Sequence, residues 1–199
     1  MVPASVKDKV LKLIEEINEN LRSVDEAVVD RMIKAILRTT GDRKIFVVGA
    51  GRSGLVGRAF AMRLMHIGLN VYVVGETITP PIKAGDLLIA ISGSGETRYT
   101  TTVAQEAKKL GAYVVAITSY PESRLGSIAD LKVIIPGRIL DSAARDYEAR
   151  QISGEHEPLT PLGTLFELSS MIFFDALIAE LAHRLGKSEE DMASRHASL

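Results

Sequence analysis

Three observations in the sequence predict an α/β fold, a three-layer α/β/α sandwich around a five-stranded parallel sheet with extra helices at both ends. Short β-branched runs alternate with segments of helical periodicity, which is the pattern of a parallel sheet covered on both faces. Two of those runs end in turns rich in glycine and hydroxyls, Gly49-Ala50-Gly51-Arg52-Ser53-Gly54 and Ser92-Gly93-Ser94-Gly95-Glu96-Thr97. The chain has 199 residues, of which 46% are apolar and 25% charged, so it can bury one sizeable core. With no internal repeat, low-complexity tract or linker, residues 1–199 read as a single domain.

Taken in order, Val6, Val10, Leu13, Ile14, Ile17 and Leu21 recur at helical spacing among lysines and glutamates, an amphipathic first helix. Ser23 and Glu26 have the spacing of a capping box, and the stripe from Val28 to Leu37 predicts a second helix stopping before Gly41. These helices, within residues 1–43, are expected to pack on the domain or on a partner subunit. Lys44–Val48 reads as the first strand, Gly49–Gly54 as a turn and Leu55–Ile67 as a helix ended by Gly68. Further strands are expected at Asn70–Val74, Leu87–Ile91, Tyr113–Thr118 and Leu131–Ile135, the last closed by Pro136-Gly137. A helix over Thr97–Leu110 and a short helical turn near Ser123–Ala129 fall between them. Ile139–Leu159 is irregular, and a loop of that length is usually functional or mobile. Thr160 and Pro161 have the composition of an N-cap and a first helical position for a long apolar helix reaching Leu185. A last helix is capped by Ser188 with Asp191 three residues on.

Composition narrows the function. A net charge of -1 gives no electrostatic case for nucleic acid or an acidic membrane surface. The absence of cysteine excludes disulfide and thiolate chemistry and is compatible with the cytoplasm, and the charged N-terminus lacks a signal-peptide core. The most apolar segment, Leu162–Leu185, is interrupted by Glu167, Asp175 and Glu180, which favours a buried helix over a membrane span.

Each of the two glycine-rich turns joins a strand end to a helix start. Such a junction points backbone N–H groups and the positive end of the helix dipole at an anion, and Ser92, Ser94 and Thr97 add hydroxyl donors. The first turn also matches G-x-G-x-x-G, with Glu76 placed where a ribose-binding acid can sit, so a dinucleotide site is a rival reading. A nucleotide fingerprint does not call for the second turn. Arg52 and Ser53 on one turn and three hydroxyls on the other suit the two sides of a phosphomonoester, although ordinary Ser/Thr caps on tight turns have the same composition.

Gly51-Arg52-Ser53 and Ser92-Gly93-Ser94-Gly95-Glu96-Thr97 resemble the phosphate-binding turns of the SIS (sugar isomerase) domain, from about Lys44 onward. More narrowly, Gly49–Gly54, Arg150–His156, Thr160–Glu167 and Arg195-His196-Ala197 resemble the 6-phospho-3-hexuloisomerase family. The resemblance implies a flavodoxin-like sheet, a sugar-phosphate ligand and interconversion of a 3-hexulose 6-phosphate with fructose 6-phosphate. It also implies phosphate contacts from Arg52, Ser53, Ser92, Ser94 and Thr97, with Gly51, Gly93, Gly95 and His66 as further substrate-binding candidates. Gly93 stands where some SIS relatives have Gln, which removes an amide contact.

Moving a carbonyl between C3 and C2 requires a proton to leave C2, an enediol to form and a proton to return at C3; one positioned base can do this with no metal or redox cofactor. Glu167 is the first candidate, seven residues after Thr160 and so in the second helical turn, on an apolar helix where desolvation raises carboxylate basicity. A solvent-facing Glu167, or one paired with an arginine, is the alternative. His196 is the second catalytic candidate, able to carry a proton near neutral pH. Resemblance to other SIS isomerases implies that such a histidine serves a neighbour's site, and hence a homo-oligomer, dimer or tetramer, with a site near the subunit interface. His66, at a helix end before Gly68, suits a dipole role, and His156 falls in the charged loop. Glu96 is expected to point away from a phosphate, favouring the helix dipole or pairing with a cation. A non-catalytic phosphosugar sensor and a nicotinamide-dependent enzyme remain the rival functions.

Overall fold

The computed structural model describes residues 5–39, 41–137 and 164–196. Two helices, α1 (Val6–Arg22) and α2 (Glu26–Leu37), precede β1 (Ile45–Gly49) and α3 (Gly51–His66). Then come β2 (Val71–Val73), β3 (Leu87–Ile91), α4 (Arg98–Lys109), β4 (Tyr113–Thr118), α5 (Arg124–Ile128) and β5 (Leu131–Ile134). Two further helices, α6 (Thr164–Arg184) and α7 (Glu189–Ala193), complete the described residues. The strands form one parallel sheet in the order β2-β1-β3-β4-β5. The expected architecture is therefore present.

Alternation along the strands separates two cores. Ile45 and Val47 point to the face covered by α2, α3 and α6, where Met32, Ile36, Phe60, Leu64, Phe166 and Phe174 are buried. Phe46 and Val48 point to the other face, against Ala104 and Ala107 of α4 and Leu125 of α5. The first core is the larger. Phe60 stacks on Phe174 with centroids 4.1 Å apart, which fixes α3 and α6 side by side, and each such buried side chain contributes roughly 1.5–3 kcal/mol.

Three local boundaries differ from expectation. The cap of α2 is Asp25, whose carboxylate accepts from Ala27 N–H at 2.8 Å, while Ser23 closes α1 by donating to the Asn20 carbonyl at 2.7 Å. Helix α3 starts at Gly51, so most of the predicted turn is its first turn. Contact overrides propensity there: a Cβ on Gly54 would lie 2.8 Å from the Gly49 carbonyl oxygen. Glu167 falls in the first turn of α6 as described, and Thr160, Pro161, the Arg150–His156 motif and Ala197 lie outside the described residues. The cap at Ser188 forms as predicted, with Asp191 returning the bond. Among the described residues, no helix is long and apolar enough to cross a membrane.

Candidate active site

The sheet reverses its winding between β1 and β3, and beyond the carboxyl ends of strands at such a point lies the usual ligand crevice of an open α/β sheet. Gly49 and Ile91, the last residues of β1 and β3, are in register. Both glycine-rich turns thus leave the sheet side by side, one into α3 and the other into α4. Neither helix start is closed by its own cap: Ala50 and Thr97 make no side-chain cap bond, which leaves N–H groups at both N-termini available to an anion.

The second turn is a built loop. Ser92 Oγ accepts from Gly95 N–H at 3.1 Å and shares a 3.0 Å hydrogen bond with Thr97 Oγ1, and Ser94 Oγ accepts from Glu96 N–H at 3.2 Å. Among the described residues the Ser94 hydroxyl proton has no acceptor. Behind the turn, the Gly93 carbonyl accepts from Ser119 N–H at 3.1 Å and the Gly95 carbonyl from Leu125 N–H at 2.9 Å. Gly95 has φ +67°, and a Cβ there would lie 1.9 Å from Ser123 Oγ. Only glycine fits. The backing by Ser119, Ser123 and Leu125 was missed in the sequence, where Ser123 registers only as the start of a helical turn. Glu96 does turn away from the cradle, accepting from Arg124 N–H at 2.8 Å and pairing with its Nε at 3.9 Å.

From the first turn, Arg52 reaches sideways to α6. Its Nε donates to Glu167 Oε2 at 2.5 Å, across 115 residues of sequence. The Glu167 side chain is 7% exposed and that of Arg52 51% exposed. The carboxylate does pair with an arginine, and that arginine stands on the first glycine-rich turn. A guanidinium has five N–H donors, and those on the Nη atoms of Arg52 can reach a second anion. Ser53 lies beside Arg52, buried, in the first turn of α3.

The histidines lie elsewhere. His66 ends α3, about 22 Å along the helix from Gly51 at 1.5 Å per residue. Its ring is buried and lies 5.2 Å, centroid to centroid, from the exposed ring of His196. Burial, His196 and Arg63 together hold His66 below the usual imidazole pKa. Within one chain, therefore, neither His66 nor His196 joins Glu167 and the phosphate turns. Glu76, the acid of the dinucleotide reading, is ion-paired with Arg58 at 2.9 Å.

Comparison with known proteins identifies the family. The SIS domain family matches residues 40–141. An uncharacterised protein of Aeropyrum pernix is 51% identical over 98% of this chain and 91% of its own length. The 3-hexulose-6-phosphate isomerase of Bacillus subtilis is 39% identical over 96% of both chains. A crystal structure from Methanococcus jannaschii, from which a 3-hexulose-6-phosphate isomerase function was inferred, superposes with a TM-score of 0.76 at 37% identity, covering 97% of this chain and 98% of that one. The chain belongs to the SIS domain family, among relatives that include the 3-hexulose-6-phosphate isomerases.

Proposed function

We infer that this chain is a 3-hexulose-6-phosphate isomerase, interconverting 3-hexulose 6-phosphate and fructose 6-phosphate without a cofactor. The observation that carries the reading is the Arg52–Glu167 pair, which joins a buried carboxylate to a phosphate turn. Full-length relatives from Bacillus subtilis, Methylomonas aminofaciens and Mycobacterium gastri carry the same activity in their names, at 39%, 40% and 38% identity.

In this reading the helix starts of α3 and α4, with Arg52, Ser53, Ser92, Ser94 and Thr97, hold the phosphate, and the backbone of Gly51, Gly93 and Gly95 allows its close approach. Anchoring the non-reacting end sets C2 and C3 against the base. Glu167 takes the C2 proton, the enediol forms, and the carboxylic acid returns the proton at C3.

His196 serves the site of a neighbouring subunit. Support comes from α3, where Leu55, Met62 and Met65 are exposed on one stripe that also carries Arg52. A two-fold axis perpendicular to that stripe sets two α3 helices antiparallel, with the His66–His196 end of one beside the Arg52–Glu167 end of the other. Exposed Val6, Val10, Leu11 and Ile14 on α1 offer further apolar surface to an assembly. A cytoplasmic setting suits phosphorylated sugars.

The test is an isomerisation assay over a panel of ketose and aldose phosphates in deuterated water. The reading expects turnover of 3-hexulose 6-phosphate with deuterium entering at C2 or C3. Binding of phosphosugars with neither turnover nor exchange would identify a sensor instead.

A further inference from the structure

A cavity of about 650 Å³ lies at the opposite edge of the sheet, where the strands begin. Leu87 and Tyr113, the first residues of β3 and β4, are on its wall, whereas the phosphate turns follow the last residues of β1 and β3. At about 3.3 Å per residue the length of β3 alone separates the two regions by about 13 Å. This volume is in the range of small-molecule sites.

Its polar lining is cationic. Arg31, Lys34, Arg38, Arg43 and Lys108 face it, against two carboxylates, Asp86 and Asp130. Both carboxylates are already committed. Buried Asp86 accepts from Lys44 N–H at 2.9 Å and Lys83 N–H at 2.8 Å, and Asp130 accepts from Val114 N–H at 2.9 Å and pairs with Lys108. Lys34 is paired with Asp30 at 2.6 Å. Among the described residues no carboxylate lies within ion-pair distance of Arg31, Arg38 or Arg43. Arg43 is nevertheless oriented, by Nη1 donation to the Arg38 carbonyl at 3.3 Å. In a chain of net charge -1, three guanidiniums around one cavity are a local accumulation with no ion-pair partner among the described residues. Ala35, Leu87, Ala112 and Tyr113 add apolar and aromatic wall, beside Gly85, Gly111 and Thr39, whose hydroxyl donates to the Ile36 carbonyl.

We propose that this cavity is a second anion site, distinct from the sugar-phosphate crevice, that takes a small molecule bearing two or more linked phosphates on an apolar or aromatic body. Three unpaired forks match the several oxygens of a phosphoanhydride better than a single carboxylate, and the apolar wall accepts the body of such a ligand. The site stands independently of the isomerase reading.

Pyrophosphate is the probe, titrated calorimetrically into the full chain at fixed ionic strength. Arg31→Gln with Arg38→Gln, both exposed positions, is expected to weaken pyrophosphate binding about 10-fold or more, since charge-assisted bonds from two guanidiniums are lost. Fructose 6-phosphate binding and the far-UV circular dichroism stay unchanged in that variant. Ser94→Ala with Thr97→Ala leaves a pyrophosphate site of wild-type affinity. The single variant Arg38→Glu reports the same loss if the double variant proves unstable. Absence of pyrophosphate binding, or binding that the strand-end variant abolishes and the arginine variants leave intact, overturns the proposal.

Discussion

Arg52 Nε and Glu167 Oε2 stand 2.5 Å apart, the guanidinium half exposed and the carboxylate buried. One side chain therefore belongs to the turn proposed to bind phosphate and holds the carboxylate proposed for proton transfer. Arg52→Lys keeps the charge but loses the planar fork, so it cannot hold the carboxylate and a phosphate together. Steady-state kinetics should show KM raised and kcat lowered, each by about 10-fold as one or two charge-assisted bonds are lost. A change in KM alone would separate Arg52 from the chemistry.

Ser94→Ala with Thr97→Ala removes hydroxyl donors and leaves the Arg52–Glu167 pair untouched. KM for the sugar phosphate should rise about 10-fold with kcat nearly constant, the pattern of lost uniform binding. A fall in kcat of similar size would mean that these hydroxyls act on the reacting atoms.

Gly95→Ala meets two obstacles, a φ of +67° and a contact of 1.9 Å with Ser123 Oγ. The left-handed conformation alone costs about 1–2 kcal/mol, and the overlap forces Ser123 or the turn to move. Denaturant unfolding should therefore show a loss of about 2 kcal/mol or more, with weaker phosphate binding. Ser123→Gly in the same chain relieves the overlap but not the backbone strain, so its rescue is partial. Full rescue would leave no part of the loss to the backbone.

Buried His66 binds its proton less readily in the folded chain than in the unfolded chain, because burial, His196 and Arg63 oppose its charge. The unfolded state then holds more protons as pH falls below about 6.5, and the stabilisation present above that value is lost on acidification. Chemical unfolding at a series of pH values should show this decline, with a slope of at most about 1.4 kcal/mol per pH unit from one proton. His66→Phe flattens it. An unchanged slope in that variant would assign the dependence to other groups.

Legibility followed locality. Leu87–Ile91 and Tyr113–Thr118 are short, mostly apolar runs between turn residues, and both strands form with those bounds. The Ser188–Asp191 cap forms because its bonds lie within one helical turn. At the α1–α2 junction two local caps compete, and Asp25 wins because Ser23 is still held by the last turn of α1. The start of α3 was hidden by its glycines, which propensity reads as a turn and which packing against Gly49 draws into the helix. The phosphate turns were visible as strings of Gly, Ser and Thr. Their joint placement with Glu167, and the removal of His66 and His196 to the far end of α3, depend on the parallel packing of α3 and α6, which no local pattern records.

The most direct test of the central claim is the Glu167→Gln enzyme, assayed for turnover, solvent-deuterium exchange and sugar-phosphate binding together. Gln keeps the shape and an oxygen acceptor for Arg52 Nε but cannot take a proton from carbon. The account predicts a kcat lowered by about 10²–10⁴-fold, exchange lowered in step, and a dissociation constant for fructose 6-phosphate within a few-fold of wild type. Normal turnover and exchange in this variant would contradict the assignment of Glu167 as the base.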